Sequence, residues 1–168
     1  MIVALRWSLV LVAAVLLQAT LVSQLPILSE RGDVVLLFVI AAGIVGGAEV
    51  GALVGFAFGL SFDLLLQTPF GLSALAYCLA GYGVGALQTG VLRTAWWIPV
   101  VSAVAGSALG VLAFAVVGAM IGQDGLVTDR LPAIIGAVTI VNAVLVVPAV
   151  RLARWAQAAG RQARLAAR

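Results

Sequence analysis

The chain contains no histidine and no lysine, and its only cysteine is Cys78. A single thiol cannot form an internal disulfide, and a Cys/His metal site is excluded. Serine hydrolysis that relies on a His or Lys base is excluded as well. Charge is scarce: 9% of the 168 residues are charged, with six acids, and all nine cations are arginine. A soluble domain of this length would carry a charged surface about two to three times richer. Asp63 is the only aspartate within an apolar run, so an intramembrane aspartyl dyad cannot be assembled. A Gly-rich phosphate loop is also missing. Neither an enzyme nor a cofactor is expected from this inventory, nor a nucleic-acid partner.

Apolar residues are abundant: 64% of the chain is hydrophobic, with a mean hydropathy of +1.25. Runs of about 20 apolar residues are what a hydrocarbon layer of about 30 Å demands of a helix. Such segments cover approximately 5–25, 34–66, 71–90, 95–121 and 131–150. The first is longer than a secretory signal core and is followed by no clean cleavage site, so it reads as a retained anchor. The second is too long for one span, since its residues would reach about 50 Å as a helix. Near its centre stands Gly46-Gly47-Ala48-Glu49, turn chemistry with a carboxylate that disfavours the bilayer centre.

Splitting the second segment near Gly46 gives six spans and puts both termini on one side. Arg6, Arg93, Arg151, Arg154, Arg161, Arg164 and Arg168 then share a face, seven of the nine arginines. Arg31 and Arg130 lie opposite, beside Glu30, Asp33, Asp124 and Asp129. Five spans would leave neither side marked. The arginine bias therefore predicts an all-α integral membrane protein of six helices in a compact bundle, with both ends cytoplasmic. The transmembrane domain covers 1–150 and a basic tail covers 151–168. The second helix, about 34–45, is short and must tilt, thin the bilayer or lie under its neighbours.

Glycine is frequent, at 19 residues. Gly43, Gly47, Gly51, Gly55 and Gly59 recur at every fourth position, as do Gly81 and Gly85, Gly106 and Gly110, and Gly118 and Gly122. Small residues at this spacing let helix backbones approach closely in lipid. Packing within the bundle and docking of a partner's transmembrane helix use the same chemistry, so both readings stand. Pro99 and Pro132 fall near helix starts, where a missing donor is harmless. Trp96 and Trp97 fall where indoles favour the interface. Pro148 marks a bend near the exit of the last span. The tail reads as an amphipathic helix whose arginines Arg151, Arg154, Arg161, Arg164 and Arg168 fall within an arc of about 140° at 100° per residue. Trp155 lies on its other side. Such a helix lies on anionic lipids of the inner leaflet.

Few polar groups occur within the spans. Asp63 lies about one turn from the end of the third helix, in Gly59-Leu-Ser-Phe-Asp63-Leu-Leu-Leu-Gln-Thr-Pro69-Phe-Gly71. It is a functional candidate by its position in the membrane, and equally a cap for the turn at 67–70. Asn142 is placed for an interhelical hydrogen bond. Glu49 falls in a cytoplasmic turn, and Tyr77 and Tyr82 read as packing residues.

The stretch from Gly55 through Asp63, Pro69 and Gly71 to Gly81-Tyr82 resembles the MreD family of the bacterial rod-shape machinery. It shares a Gly-rich helix, an Asp-Leu pair, a short Pro/Thr turn, a Gly-Leu restart and a later Gly-Tyr. The long Ala/Arg tail departs from that pattern. The resemblance implies a non-catalytic scaffold in the bacterial inner membrane. It would bind MreC, a single-span protein, and through it MreB, RodA and a class B penicillin-binding protein of lateral peptidoglycan synthesis. It also implies a fold like that of the substrate-binding subunits of energy-coupling-factor transporters, and a capture subunit of that type is the competing reading. The glycine face Gly51, Gly55 and Gly59, with Asp63, Pro69 and Gly71 at its mouth, is the candidate partner surface.

Overall fold

The computed structural model describes residues 2–24, 33–64, 69–90, 97–122 and 131–166. Six helices account for nearly all of them: α1 (Ile2–Gln24), α2 (Val34–Gly46), α3 (Ala48–Asp63), α4 (Leu72–Gly90), α5 (Ile98–Met120) and α6 (Leu131–Ala166). No strand occurs among the described residues. The all-α membrane bundle of six helices expected from the sequence is the architecture observed. Among the described residues, three helical segments are long and apolar enough to cross a membrane: Ile2–Thr20, Ile98–Met120 and Leu131–Ala158.

Gly47 ends α2 and begins α3. Its φ of 82° and ψ of −173° lie in a region that essentially only glycine occupies. Its N–H donates to the Gly43 carbonyl at 2.9 Å, and its own carbonyl accepts from the Gly51 N–H at 2.9 Å. One residue therefore closes one helix and opens the next, which is the break the Gly-Gly-Ala-Glu stretch predicts.

The 13-residue α2 is only about 20 Å long at 1.5 Å per residue, shorter than the hydrocarbon layer. It does not have to match that layer, because it is the central helix. Every residue from Val34 to Gly43 is buried, and α2 touches all five other helices. A helix apolar on every side belongs in a core. Of the three accommodations expected for this short helix, burial under its neighbours is the one adopted. Lipid is left to outward side chains such as Leu9 and Leu16 of α1, Leu53 of α3, Leu112 of α5 and Val144 of α6, all exposed.

The glycine repeats hold the inner helices together. A Cβ placed on Gly51 would lie 2.2 Å from the Gly81 carbonyl oxygen, and one on Gly55 would lie 2.3 Å from the Tyr77 carbonyl oxygen. One on Gly59 would lie 2.5 Å from the Ala74 Cα, and one on Gly43 would lie 2.7 Å from the Gly81 carbonyl oxygen. α2, α3 and α4 thus meet backbone to backbone along one seam. Gly106 and Gly110 of α5 instead receive side chains, Val84 with Ile40 and Leu36 respectively.

α6 is a single helix of 36 residues, with Pro148 inside it, about 54 Å long by helical rise. No break separates the last span from 151–166. Ala153 and Ala156 are fully buried, so the start of the basic tail still packs on the bundle. The side chain of Gln157 reaches the end of α2, where its Nε2 would lie 3.0 Å from a Cβ on Gly46.

Candidate functional site

Two polar clusters occupy opposite ends of the α2–α3–α4 core. At the end where α2 and α4 begin, Asp63 closes α3 and is 3% exposed. Its carboxylate accepts the N–H of Gly71 at 2.9 Å, of Ser73 at 3.0 Å and of Ala74 at 3.2 Å. These are donors at the start of α4 that have no partner within their own helix. An acid there also meets the positive end of the helix dipole. Gly71, at φ 98°, provides the left-handed turn that aims these N–H groups at the carboxylate. Pro69 starts the same turn, with its carbonyl accepting the Leu72 N–H at 3.1 Å. Asp63 thus caps the turn into α4, one of its two expected roles. Positions 67 and 68 of that turn lie outside the described residues.

Asp33 performs the same task for α2. Its Oδ1 accepts the Leu36 N–H at 2.8 Å, and its Oδ2 accepts the Tyr77 hydroxyl of α4. Gln18 of α1 adds a third tie, its Oε1 accepting the Val34 N–H at 2.9 Å. Tyr77 also stacks on Phe62, with ring centroids 6.1 Å apart. From the sequence alone, Asp33 is a loop charge and Tyr77 a packing residue; the structure joins them. An acid just before an apolar run is a recognisable N-cap signal. The pairing with Tyr77, 44 positions away, leaves no local trace.

The glycines of the candidate partner surface meet α4. Gly51, Gly55 and Gly59 are buried, with the α4 backbone against each of them. Asp63, Pro69 and Gly71 gather at the mouth of the same hairpin. The outward side of that hairpin is different in kind: Leu53 (73% exposed) and Phe56 on α3, with Leu75, Leu79 and Tyr82 on α4, face away from the bundle.

Elsewhere the buried polar groups join helices in pairs. The Asn142 Nδ2 donates to the Ser107 Oγ at 2.8 Å between α6 and α5, the interhelical bond expected of Asn142. The Gln88 Nε2 donates to the Ser102 Oγ at 2.7 Å between α4 and α5. Among the described residues no group of three or more Cys, Asp or Glu is placed to hold a metal ion.

At the other end of the core, Arg6 near the start of α1 meets the far part of α6. Its Nη1 donates to the Trp155 carbonyl at 2.8 Å, and its guanidinium lies 4.7 Å from the centre of the Trp155 ring. This contact brings Arg6 to the same end of the bundle as Arg151 and Arg154, which are exposed. Arg161 and Arg164 belong to the last turns of α6. Arg31, Arg93, Arg130 and Arg168, with Glu30, Asp124, Asp129 and Trp96, lie outside the described residues.

Comparison with curated proteins and with solved structures gives no match. Among family models, that of the rod shape-determining protein MreD matches residues 1–155, a range that takes in α1 to α5, most of α6, both acidic caps and the Arg6–Trp155 contact. The chain belongs to the MreD family.

Proposed function

We propose that this protein is a scaffold of the bacterial elongation machinery that performs no chemistry of its own. It holds an MreC-like single-span protein and, through it, MreB filaments, RodA and a class B penicillin-binding protein, so organising lateral peptidoglycan synthesis. The family match over residues 1–155 carries this reading. The use of the polar groups supports it: Asp33 and Asp63 cap helices, while Gln18, Tyr77 and Asn142 join helices. A substrate-capture subunit needs polar groups converging on a pocket, whereas these carboxylates are committed to backbone N–H groups and a tyrosine.

The arginine distribution orients the protein in the inner membrane with six crossings and both ends cytoplasmic. In this reading the α3–α4 hairpin is the docking element for the MreC-like transmembrane helix. Gly51, Gly55 and Gly59 set its thickness, and Asp63, Pro69 and Gly71 set its external turn. Leu53 and Phe56 on its outward side supply the contact.

The test is affinity purification of the tagged chain from its host in mild detergent, with mass spectrometry of the proteins recovered. An MreC-like protein with a RodA–penicillin-binding protein pair is expected. A pair of ATPases with a coupling membrane protein would instead assign the chain to transport. The variant Phe56→Ala should insert normally and recover less of the MreC-like partner.

A further inference from the structure

The α1–α6 junction carries three guanidinium groups, those of Arg6, Arg151 and Arg154, and among the described residues none of them has a carboxylate within ion-pair distance. Arg6 has the Trp155 carbonyl and ring instead. Arginine has five N–H donors, and this contact occupies one of Arg6's. On α6, Arg151, Arg154 and Trp155 fall within an arc of about 100° at 100° per residue, so Trp155 borders the arginine face and does not lie on its other side as the sequence pattern suggests. Arg6 lies over the Trp155 ring, so all four side chains share one side of the junction.

Their depth is set by the apolar stretch of α6, which ends at Val150. At 1.5 Å per residue, Arg151 to Trp155 lie roughly 2–8 Å beyond it, within the layer where lipid phosphates sit. Membrane-ward of the arginines, Leu9 and Val12 of α1 and Val144 and Val147 of α6 are exposed apolar side chains. The basic face is also held in position: Ala153 and Ala156 are fully buried against the bundle, so this part of α6 does not swing freely.

We propose that this junction is a binding site for an anionic phospholipid. Arg6, Arg151 and Arg154 grip its phosphate oxygens, the Trp155 indole lies alongside the headgroup, and the acyl chains run down the α1–α6 surface. Guanidinium groups suit this role because their paired N–H groups match phosphate oxygens. The site rests on the membrane location of the chain and is independent of any MreC-like partner.

The full-length protein, purified in detergent without partners, is mixed with equal amounts of phosphatidylglycerol and phosphatidylcholine, and retained lipids are counted by native mass spectrometry. Preference for phosphatidylglycerol by about tenfold or more is expected at low ionic strength, because the three arginines attract the anionic headgroup. The double variant Arg151→Gln/Arg154→Gln leaves the Arg6–Trp155 contact in place and should lose most of that preference, with unchanged helicity by circular dichroism. Equal retention of the two lipids by the wild type overturns the proposal, as does an unchanged preference in the double variant. Displacement of the lipid by glycerol 3-phosphate at matched concentration would indicate a site for free phosphate. Displacement by a polyglutamate peptide would assign the arginines to an acidic protein. Either result also overturns it. Because no partner is present, failure here leaves the scaffold reading to be judged by copurification.

Discussion

A single methyl group at Gly51 tests how the inner helices are held. In Gly51→Ala the new carbon would lie 2.2 Å from the Gly81 carbonyl oxygen, where ordinary contact begins at 3.4 Å. Both atoms belong to, or are fixed by, helical backbone, so no side chain can rotate away. α3 and α4 must separate locally by about 1.2 Å, and overpacking of this kind costs about 1–3 kcal/mol. Alanine returns about 1 kcal/mol through its higher helix propensity, which leaves a net loss of up to about 2 kcal/mol. Gly55→Ala should behave alike, because its new carbon would lie 2.3 Å from the Tyr77 carbonyl oxygen. Gly136→Ala is the control. That position is helical, and nothing lies within 4 Å of a Cβ there, so only the propensity gain remains. Unfolding by sodium dodecyl sulfate in mixed micelles, followed by circular dichroism, ranks the three variants. Trp7, buried against Phe58 with ring centroids 6.1 Å apart, offers a fluorescence reporter of the core. If Gly51→Ala and Gly55→Ala unfold at or above the wild-type midpoint, the backbones do not meet as described. Loss of the MreC-like partner in those same stable variants would then mean that the glycines face a partner helix directly.

Other substitutions separate the polar ties. Asp63→Ala strands three N–H groups at the start of α4 and should destabilise the protein by about 1–3 kcal/mol, read by the same unfolding assay. Tyr77→Phe removes the donor to Asp33 while keeping the stack on Phe62, and should cost about 1 kcal/mol. Asn142→Leu should fall within about 1 kcal/mol of the wild type, because interhelical hydrogen bonds in membranes average about 0.6 kcal/mol and the Asn142 Oδ1 has no partner. A loss well above that value would show that the Asn142–Ser107 bond anchors α6.

How far the sequence could be read depends on whether a feature is local. The break at Gly47 was visible because a glycine pair beside Glu49 stood inside a run too long for one span, and arginine parity required a reversal there. The capping role of Asp63 was visible because a carboxylate close before Pro69 and Gly71 has few other uses. The four-residue glycine spacing marked a close-packing face on α3. It did not reveal what fills that face, because periodicity describes one surface and never its neighbour. For the same reason the Asp33–Tyr77 and Gln18–Val34 ties were unreadable: each joins two helices through partners 44 and 16 positions apart. The tail was legible as a basic helix. Its continuity with α6 was not, because Pro148 suggested a bend, and the burial of Ala153 and Ala156 depends on what lies beside them.

The central position of α2 has a consequence for biogenesis. Three of the helices that surround it, α4, α5 and α6, follow it in the chain and so emerge later from the ribosome. Until they arrive, a segment of 13 residues, about 20 Å long as a helix, has to wait in a hydrocarbon layer of about 30 Å. Its unbroken apolar sequence makes lipid an acceptable temporary solvent, and the tight turn at Gly47 lets it enter paired with α3. In chain order, α5 and α6 are the last helices to close around α2. Chains truncated before α6 would expose a short, lipid-bathed helix pair of the kind that membrane quality-control proteases can recognise.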